Sequence, residues 1–131
     1  MKKFAIVLLL TCLSGCSTVL TRPAKNSEIE HVQPLIQPVG QNSVVVVTRD
    51  VGLAGSPYDA RLIVDNKRMA DLRPSQQVRI DVAPGVHSIA VYQSDNRERP
   101  GVQIEVAAGQ VQSYRVATTA TGFALIPSDA P

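Results

Sequence analysis

The chain of 131 residues has no tryptophan, three tyrosines, two phenylalanines and only two cysteines, Cys12 and Cys16. With so few large aromatic side chains, the core of any domain has to be built from valine, isoleucine, leucine and alanine. Neither sign of charge is in large excess, because the formal net charge is only +2 and Lys2 and Lys3 account for it. A nucleic-acid partner requires a basic footprint, and the short cluster Arg97-Glu98-Arg99 does not supply one. We therefore expect no nucleic-acid partner.

The first fifteen residues have the layout of a secretory signal peptide. A short basic segment precedes an unbroken apolar run from Phe4 to Leu10, and small residues precede Cys16. The apolar run is too short to span a bilayer, which requires about 20 such residues. The sequence Leu13-Ser14-Gly15-Cys16 resembles the lipobox of bacterial lipoproteins, in which the leader is cut between Gly15 and Cys16.

The lipobox resemblance implies that the Cys16 thiol carries a diacylglyceryl group and that the new amino terminus is acylated. Each buried methylene contributes about 0.8 kcal/mol, so several acyl chains make a stable membrane anchor. The alternative for Cys16 is a free or disulfide-bonded thiol of a secreted protein. Cys12 is lost with the leader, however, which leaves no disulfide partner in the mature chain.

The residue after Cys16 is Ser17 rather than aspartate. By resemblance to the lipoprotein sorting rule of bacteria with two membranes, this predicts the inner leaflet of the outer membrane, facing the periplasm. In a host with one membrane, the same anchor would hold the protein on the outer face of that membrane.

After Gly15 the chain has 116 residues, which is enough for one domain and a tether. Residues 16–42 contain three prolines and no sustained hydrophobic period, and they predict a lipidated amino terminus followed by a flexible linker. Within this linker, Glu28-Ile29-Glu30-His31 is compatible with a metal or catalytic patch. An acidic turn in a solvated linker is the favoured interpretation.

From residue 43 to residue 127, short β-branched segments alternate with turn signals and predict a single all-β domain. Val44 to Val47 is typical of a central strand that is buried on both faces. Asp65-Asn66 and Pro84-Gly85 are turn sequences, and no segment has a convincing helical period. We expect a small antiparallel β-sandwich of seven or eight strands, followed by a disordered tail over residues 128–131. The predicted strands cover residues 43–50, 60–64, 67–72, 77–82, a strand that contains His87, 102–106, 111–117 and 123–126.

Three features of the domain are compatible with chemistry but favour structure. The glycine-rich loop before residue 60 leads into a strand and lacks the lysine of a phosphate-binding loop. Met69 has no second soft ligand nearby and is expected to fill the core. His87 lies on the apolar face of its strand, which favours a histidine that is hydrogen-bonded to the backbone. The sequence predicts no catalytic residue, no metal site and no cofactor.

The order of features from Val44 to Ile126 resembles a domain-of-unknown-function family of small bacterial lipoproteins. That family is similar to the PEGA domain and to other transthyretin-like or Ig-like modules. The matching segments are Val44 to Arg49, Val64-Asp65-Asn66, Pro84-Gly85-Val86-His87, and Ala108-Gly109 followed by Tyr114. Asn66 stands where the family usually has glycine, although asparagine also tolerates a left-handed turn. The match covers about two-thirds of the chain and implies a β-sandwich without catalytic residues.

These observations predict a non-enzymatic, lipid-anchored envelope lipoprotein that presents a small β-sandwich to a protein or glycan partner. An exposed sheet edge or loops carrying Arg49, Arg97 and Arg99 would supply the contacts. One alternative is an accessory lipoprotein of a secretion or efflux assembly. The other is an enzyme that acts on the envelope, although no nucleophile elbow, metal-ligand spacing or carboxylate pair supports it. Its candidate polar residues would be His87, Arg49, Asp81 and Ser88.

Overall fold

The computed structural model describes residues 19–52, 58–93 and 101–129. Within these ranges the chain forms one short 3-10 helix, Asn26–Glu28, and nine β-strands. No helix in the described ranges is long and apolar enough to cross a bilayer. The strands are β1 Glu30–Val32, β2 Ser43–Arg49, β3 Ala60–Val64, β4 Lys67–Leu72, β5 Gln76–Val82, β6 Gly85–Gln93, β7 Val102–Val106, β8 Val111–Thr119 and β9 Gly122–Ser128.

The nine strands form two sheets that pack face to face, which confirms the predicted all-β sandwich. The larger sheet has the strand order β1-β5-β2-β8-β9, with β2 in its centre, and the smaller sheet has the order β4-β3-β6-β7. Two pairings, β1 with β5 and β2 with β8, are parallel, whereas the sequence predicted antiparallel pairing. Parallel neighbours require a long crossover connection. The connection between β2 and β8 runs through the four strands of the smaller sheet and through β5.

The inner faces of both sheets form one aliphatic core, as the scarcity of aromatic residues predicts. In β5 the side chains of Val78, Ile80 and Val82 point inward, while the residues between them face outward. Leu62 and Ile89 meet them from the smaller sheet, and both are fully buried. Burial of each such side chain contributes about 1.5–3 kcal/mol. The core is therefore the main source of stability, and each strand contributes to it.

The hairpin between β3 and β4 turns at Asp65 and Asn66. Their φ angles are 48° and 63°, so both residues adopt the left-handed conformation of a tight two-residue hairpin turn. Asparagine and aspartate tolerate this conformation better than most residues, which explains why this dipeptide marks the turn. The turn also places the Asp65 carboxylate at one end of the sandwich.

The amino-terminal segment, residues 19–42, packs against the domain, so the predicted flexible linker is wrong for these residues. Val19 forms a β-bridge with Thr119, and the Leu20 N–H donates to the Thr118 carbonyl at 2.8 Å. The Thr21 hydroxyl accepts from the Thr118 N–H at 3.0 Å. These bonds place the segment beside β8, in the position that β2 would occupy if it continued beyond Arg49.

Further contacts hold the rest of this segment along the sandwich. β1 pairs in parallel with the first half of β5, at Gln76 to Val78. The Leu35 N–H then donates to the Met69 carbonyl at 2.7 Å, which bonds the segment to the smaller sheet. Backbone hydrogen bonds and polar side chains mediate most of this docking. They leave no hydrophobic period in the sequence, which explains why the sequence predicted a linker.

The two ends of the sandwich are defined by the strands that begin and end there. At the Ser43 end, β2 begins, β5 ends at Val82 and β6 begins at Gly85. At the opposite end, the Thr119 end, β2 ends at Arg49 and β8 ends at Thr119. β8 has nine residues, so the two ends are separated by about 30 Å at the usual rise of a strand.

Candidate functional site

A cleft opens between the two sheets at the Ser43 end. Its volume is about 420 Å³, which falls in the range of sites that take a small ligand or a partner's side chain. The aliphatic residues that line it include Val64, Met69, Ile80 and Val82. The charged or titratable residues that line it are Asp65, Lys67, Asp81 and His87. The cleft thus combines an apolar interior with a polar rim.

The segment before β2 forms one wall of this cleft. Ile36, Pro38 and Gln41 line it, and the Leu35 bond to β4 fixes where the segment crosses the sandwich. Leu35 and Ile36 are exposed, and Val39 is 86% exposed. Single exposed apolar side chains are common, but a cluster of them beside a cleft is typical of a surface that contacts another molecule.

His87 is held at the cleft by hydrogen bonds at both ring nitrogens. Nδ1 lies 2.6 Å from Oδ2 of Asp65, and Nε2 lies 2.5 Å from the Ala83 carbonyl oxygen. A carbonyl oxygen can only accept, so Nε2 carries a proton. The ionised carboxylate of Asp65 also acts as an acceptor, so Nδ1 carries one too. This geometry fits the charged, doubly protonated imidazole, in which both ring nitrogens donate.

Electrostatics at this pair agree with the geometry. The hydrogen bond that His87 donates to Asp65 raises the pKa of His87 above its usual value, although partial burial opposes it. Burial acts to raise the pKa of Asp65, but the hydrogen bonds from His87 and from the Ser88 N–H outweigh it and lower that pKa. The prediction of a histidine bonded to the backbone agrees with this geometry. Because both nitrogens are engaged, His87 links the β3–β4 turn to the β5–β6 connection.

The other residues considered for an enzyme do not form one site with His87. Asp81 lines the same cleft, but the side chain of Ser88 lies on the opposite face of β6 from His87, because strand residues alternate. Only the Ser88 backbone N–H reaches the pair, at 3.0 Å from Oδ1 of Asp65. Arg49 lies at the far end of the sandwich. The four side chains therefore do not converge.

Arg49 is part of the interior, and the structure corrects its prediction as a surface contact residue. It is 2% exposed, because it follows Val45 and Val47 on the inner face of β2. Its Nη1 donates to the Leu72 carbonyl at 2.6 Å and to the Tyr58 carbonyl at 2.9 Å. Its guanidinium lies over the ring of Phe123, 4.8 Å from the ring centre, in the geometry of a cation–π contact.

The environment of Arg49 has an electrostatic cost that these partners offset. Burial lowers the pKa of the Arg49 guanidinium, and the nearby carboxylate of Asp59 opposes that effect. The hydrogen bonds cross from the larger sheet to the chain that leads into and out of the smaller sheet. Arg49 therefore acts as a polar link between the two sheets at the Thr119 end.

A second polar cluster lies on the outer face of the larger sheet, where the amino-terminal segment crosses it. Asp50 is 2% exposed, and its Oδ2 accepts from the Thr21 hydroxyl at 2.8 Å and from Nη1 of Arg115 at 2.6 Å. No described residue donates to Oδ1 of Asp50. The cluster borders a pocket of about 190 Å³ that Thr48 and Gln77 also line. Its main effect is to bond residue 21 to β2 and β8.

The residues of the acidic patch, 28–31, help to hold the amino-terminal segment in place. Glu28 pairs with Arg22 through two hydrogen bonds of 2.9 Å, and this hydrogen bonding lowers the pKa of Glu28 to about 2. Glu30 and His31 belong to β1, beside β5. Among the described residues, no group of three or more histidines, cysteines, aspartates or glutamates is placed to hold a metal ion.

Several predicted site residues lie outside the described residues. They are the cleavage and lipidation residues Gly15 and Cys16, and the loop arginines Arg97 and Arg99. Of the described strands on either side of that loop, β6 ends at the Thr119 end, since Gln93 pairs with Ala60. β7 begins beside the middle of β6, where Val102 pairs with Ile89.

Sequence reasoning missed Asp65 as the partner of His87 and Asp50 as the partner of Thr21 and Arg115. The turn sequence at Asp65 was recognised, but nothing local indicates that the turn meets a histidine 22 residues later. The alternation of β6 gave a partial signal, because it placed His87 on the inner face. No signal in the sequence connects Thr21 with Asp50.

Comparison of the chain with protein-family models, with curated proteins and with solved structures gives no match. The similarity to small lipoproteins therefore remains a prediction from the sequence. The geometry of the cleft and of the docked amino-terminal segment is what carries the functional argument.

Proposed function

We propose that the protein is a non-enzymatic lipoprotein of the bacterial envelope, anchored by acyl chains on Cys16, that presents the cleft at the Ser43 end to a protein partner. The lipobox-like sequence Leu13-Ser14-Gly15-Cys16 supports the anchor. Where the host has two membranes, Ser17 favours the inner leaflet of the outer membrane. Confinement to a membrane surface raises the effective concentration of the domain beside other envelope components.

The single observation that carries the binding role is the apolar cleft with exposed apolar side chains beside it. An aliphatic interior can take an apolar side chain of a partner, and the exposed side chains of Ile36 and Val39 extend that surface. Buried apolar anchors surrounded by a polar rim are the usual source of affinity in protein interfaces. Lys67 and Asp81 on the rim offer charges of both signs for specificity.

The composition of the cleft favours a protein over a glycan. Its apolar lining is aliphatic, with Ile36, Met69 and Ile80 among the contributors. Such a surface buries apolar side chains well, and the described residues that line it include no phenylalanine, tyrosine or tryptophan on which a sugar ring could stack. The engagement of both nitrogens of His87 supports a binding role over general acid–base catalysis, which requires a nitrogen that is free to exchange a proton.

The anchor is tested with a Cys16→Ser variant of the full precursor, expressed in a two-membrane bacterium and separated into membrane and soluble fractions. We expect the native chain in the outer-membrane fraction. Its mass spectrum should show acyl chains on Cys16. We expect the variant in the soluble periplasmic fraction. A variant that stays with the membrane would contradict the proposed anchor.

The binding surface is tested by photo-crosslinking in living cells from a benzophenone amino acid placed at Val39. The matched control carries the same group at Val102, another exposed valine, which lies on the edge strand β7 and does not line the cleft. We expect a discrete protein adduct from position 39 only, and its loss when Ile36→Glu is added. Adducts to polysaccharide would indicate a glycan partner instead. Equal adducts from both positions, or none from position 39, would contradict the proposed surface.

A further inference from the structure

The docked amino-terminal segment determines where a lipid on Cys16 can lie relative to the sandwich. Val19 is bridged to Thr119, and Leu20 and Thr21 are hydrogen-bonded to the backbone of β8 near its end. Only Ser17 and Thr18 lie between Cys16 and Val19, and a fully extended chain spans about 3.5 Å per residue. The Cα atom of Cys16 therefore lies within about 10 Å of the Cα atom of Val19.

Several independent contacts hold this segment, so its position does not depend on a single bond. The Thr21 hydroxyl donates to the buried Asp50 carboxylate, which also accepts from Arg115. The Val51 N–H donates to the Arg22 carbonyl at 3.0 Å. Hydrogen bonds to an ionised, buried acceptor are among the stronger ones in proteins. The segment is thus bonded to the end of β2 as well as to β8.

The surface at the Thr119 end suits the interface of a membrane. Val19 and Tyr58 are exposed there, and Leu20 is 49% exposed. The exposed turn between β8 and β9 lies beside them, with Ala120 at its tip. Tyrosine is enriched at the headgroup level of membranes, and exposed aliphatic side chains bury at the boundary between headgroups and acyl chains.

We infer that the mature protein stands end-on at the membrane, with the Thr119 end against the phospholipid headgroups and the cleft at the Ser43 end facing away from the lipid. This inference rests on the proposed anchor at Cys16 and adds the orientation of the domain. The cleft lies about 30 Å from the Thr119 end along β8. The sandwich thus acts as a spacer that holds the cleft above the lipid surface, in place of a flexible tether.

The orientation is tested with two variants of the lipidated protein, Ala120→Cys and Ala108→Cys, each labelled with a thiol-reactive fluorophore. Both alanines are exposed turn residues, and they lie at opposite ends of β8, so each is the control for the other. The labelled proteins are inserted into phosphatidylethanolamine–phosphatidylglycerol vesicles that carry a quencher on the headgroups. We expect severalfold stronger quenching at position 120 than at position 108.

A third variant carries a flexible glycine–serine linker of about 20 residues after Ser17, which adds about 25 Å of root-mean-square reach. We expect this linker to bring the ratio of the two quenching values close to one. Equal quenching at both positions without the linker, or stronger quenching at position 108, would overturn the inference while the anchor stands. An intact mass that shows no acyl chains on Cys16 would overturn the proposed function, and with it the inference.

Discussion

The buried guanidinium of Arg49 provides a direct test of the structure, because the sequence alone placed this residue at a partner surface. Arg49→Met keeps the length of the side chain and removes its charge and its hydrogen bonds to the carbonyl oxygens of Tyr58 and Leu72. It also removes the cation–π contact with Phe123. If Arg49 were an exposed contact residue, the same substitution would leave the free energy of unfolding nearly unchanged.

The expected loss of stability follows from these contacts. A hydrogen bond from a charged donor contributes about 1.5–3 kcal/mol, so the loss of two costs about 3–6 kcal/mol. Part of this cost is offset, because an apolar side chain avoids the desolvation of a buried charge and methionine adapts to an irregular core. We expect Arg49→Met to lower the free energy of unfolding by about 2–4 kcal/mol.

The measurement is urea unfolding at neutral pH, followed by far-ultraviolet circular dichroism because the chain has no tryptophan. The protein carries Cys16→Ser, which removes the lipid. The matched control is Arg79→Met, which removes one positive charge from an exposed position on β5. Surface substitutions of this kind usually change stability by about 0.5 kcal/mol or less. Equal unfolding free energies for the two variants would refute the assignment of Arg49 as a link between the sheets.

Two further predictions concern the His87 pair and the β6–β7 contact. The pair requires protonated His87, and Asp65 raises the pKa of His87. Its stabilisation is therefore complete below about pH 6.5, the unfolded pKa, and is lost as the pH rises through the raised folded pKa. Unfolding measured from pH 5 to 9 should show this loss of stability in the native chain and in His31→Gln, but not in His87→Gln. A His87→Gln variant that loses as much stability as the native chain over this range would contradict the prediction. A Cβ added at Gly101 would lie 2.3 Å from Oγ of Ser88, so Gly101→Ala should lower the melting temperature. The decrease should be smaller when Ser88→Ala is also present. Equal decreases with and without Ser88→Ala would exclude this clash.

The strands were predictable because their causes are local. Alternation of apolar and polar residues in β5 and β6 reports which face is buried, and the turns at Asp65-Asn66 and Pro84-Gly85 report where the chain reverses. The scarcity of aromatic residues indicated an aliphatic core. The inner-face position of His87 followed from the same alternation.

The position of Arg49 was hidden by the composition of β2. Val44 to Val47 are all valines, so the run contains no alternation that would show whether the side chain of Arg49 faces the core or the solvent. The register with β5 and β8 decides it, and that register depends on strands more than 25 residues away in the chain. Parallel pairing of β2 with β8 was equally invisible, because it requires the path of the whole smaller sheet.

The sequence by itself determined the class of the fold, the aliphatic core, most strand positions and the lipobox-like segment that ends at Cys16. Each of these depends on neighbouring residues or on composition. Tertiary structure alone decided that residues 19–42 dock on the sandwich, because Thr21, Asp50 and Arg115 meet only in the folded chain. It likewise decided that the cleft and Val19 lie at opposite ends of the sandwich, because strand direction and pairing are set by long-range contacts.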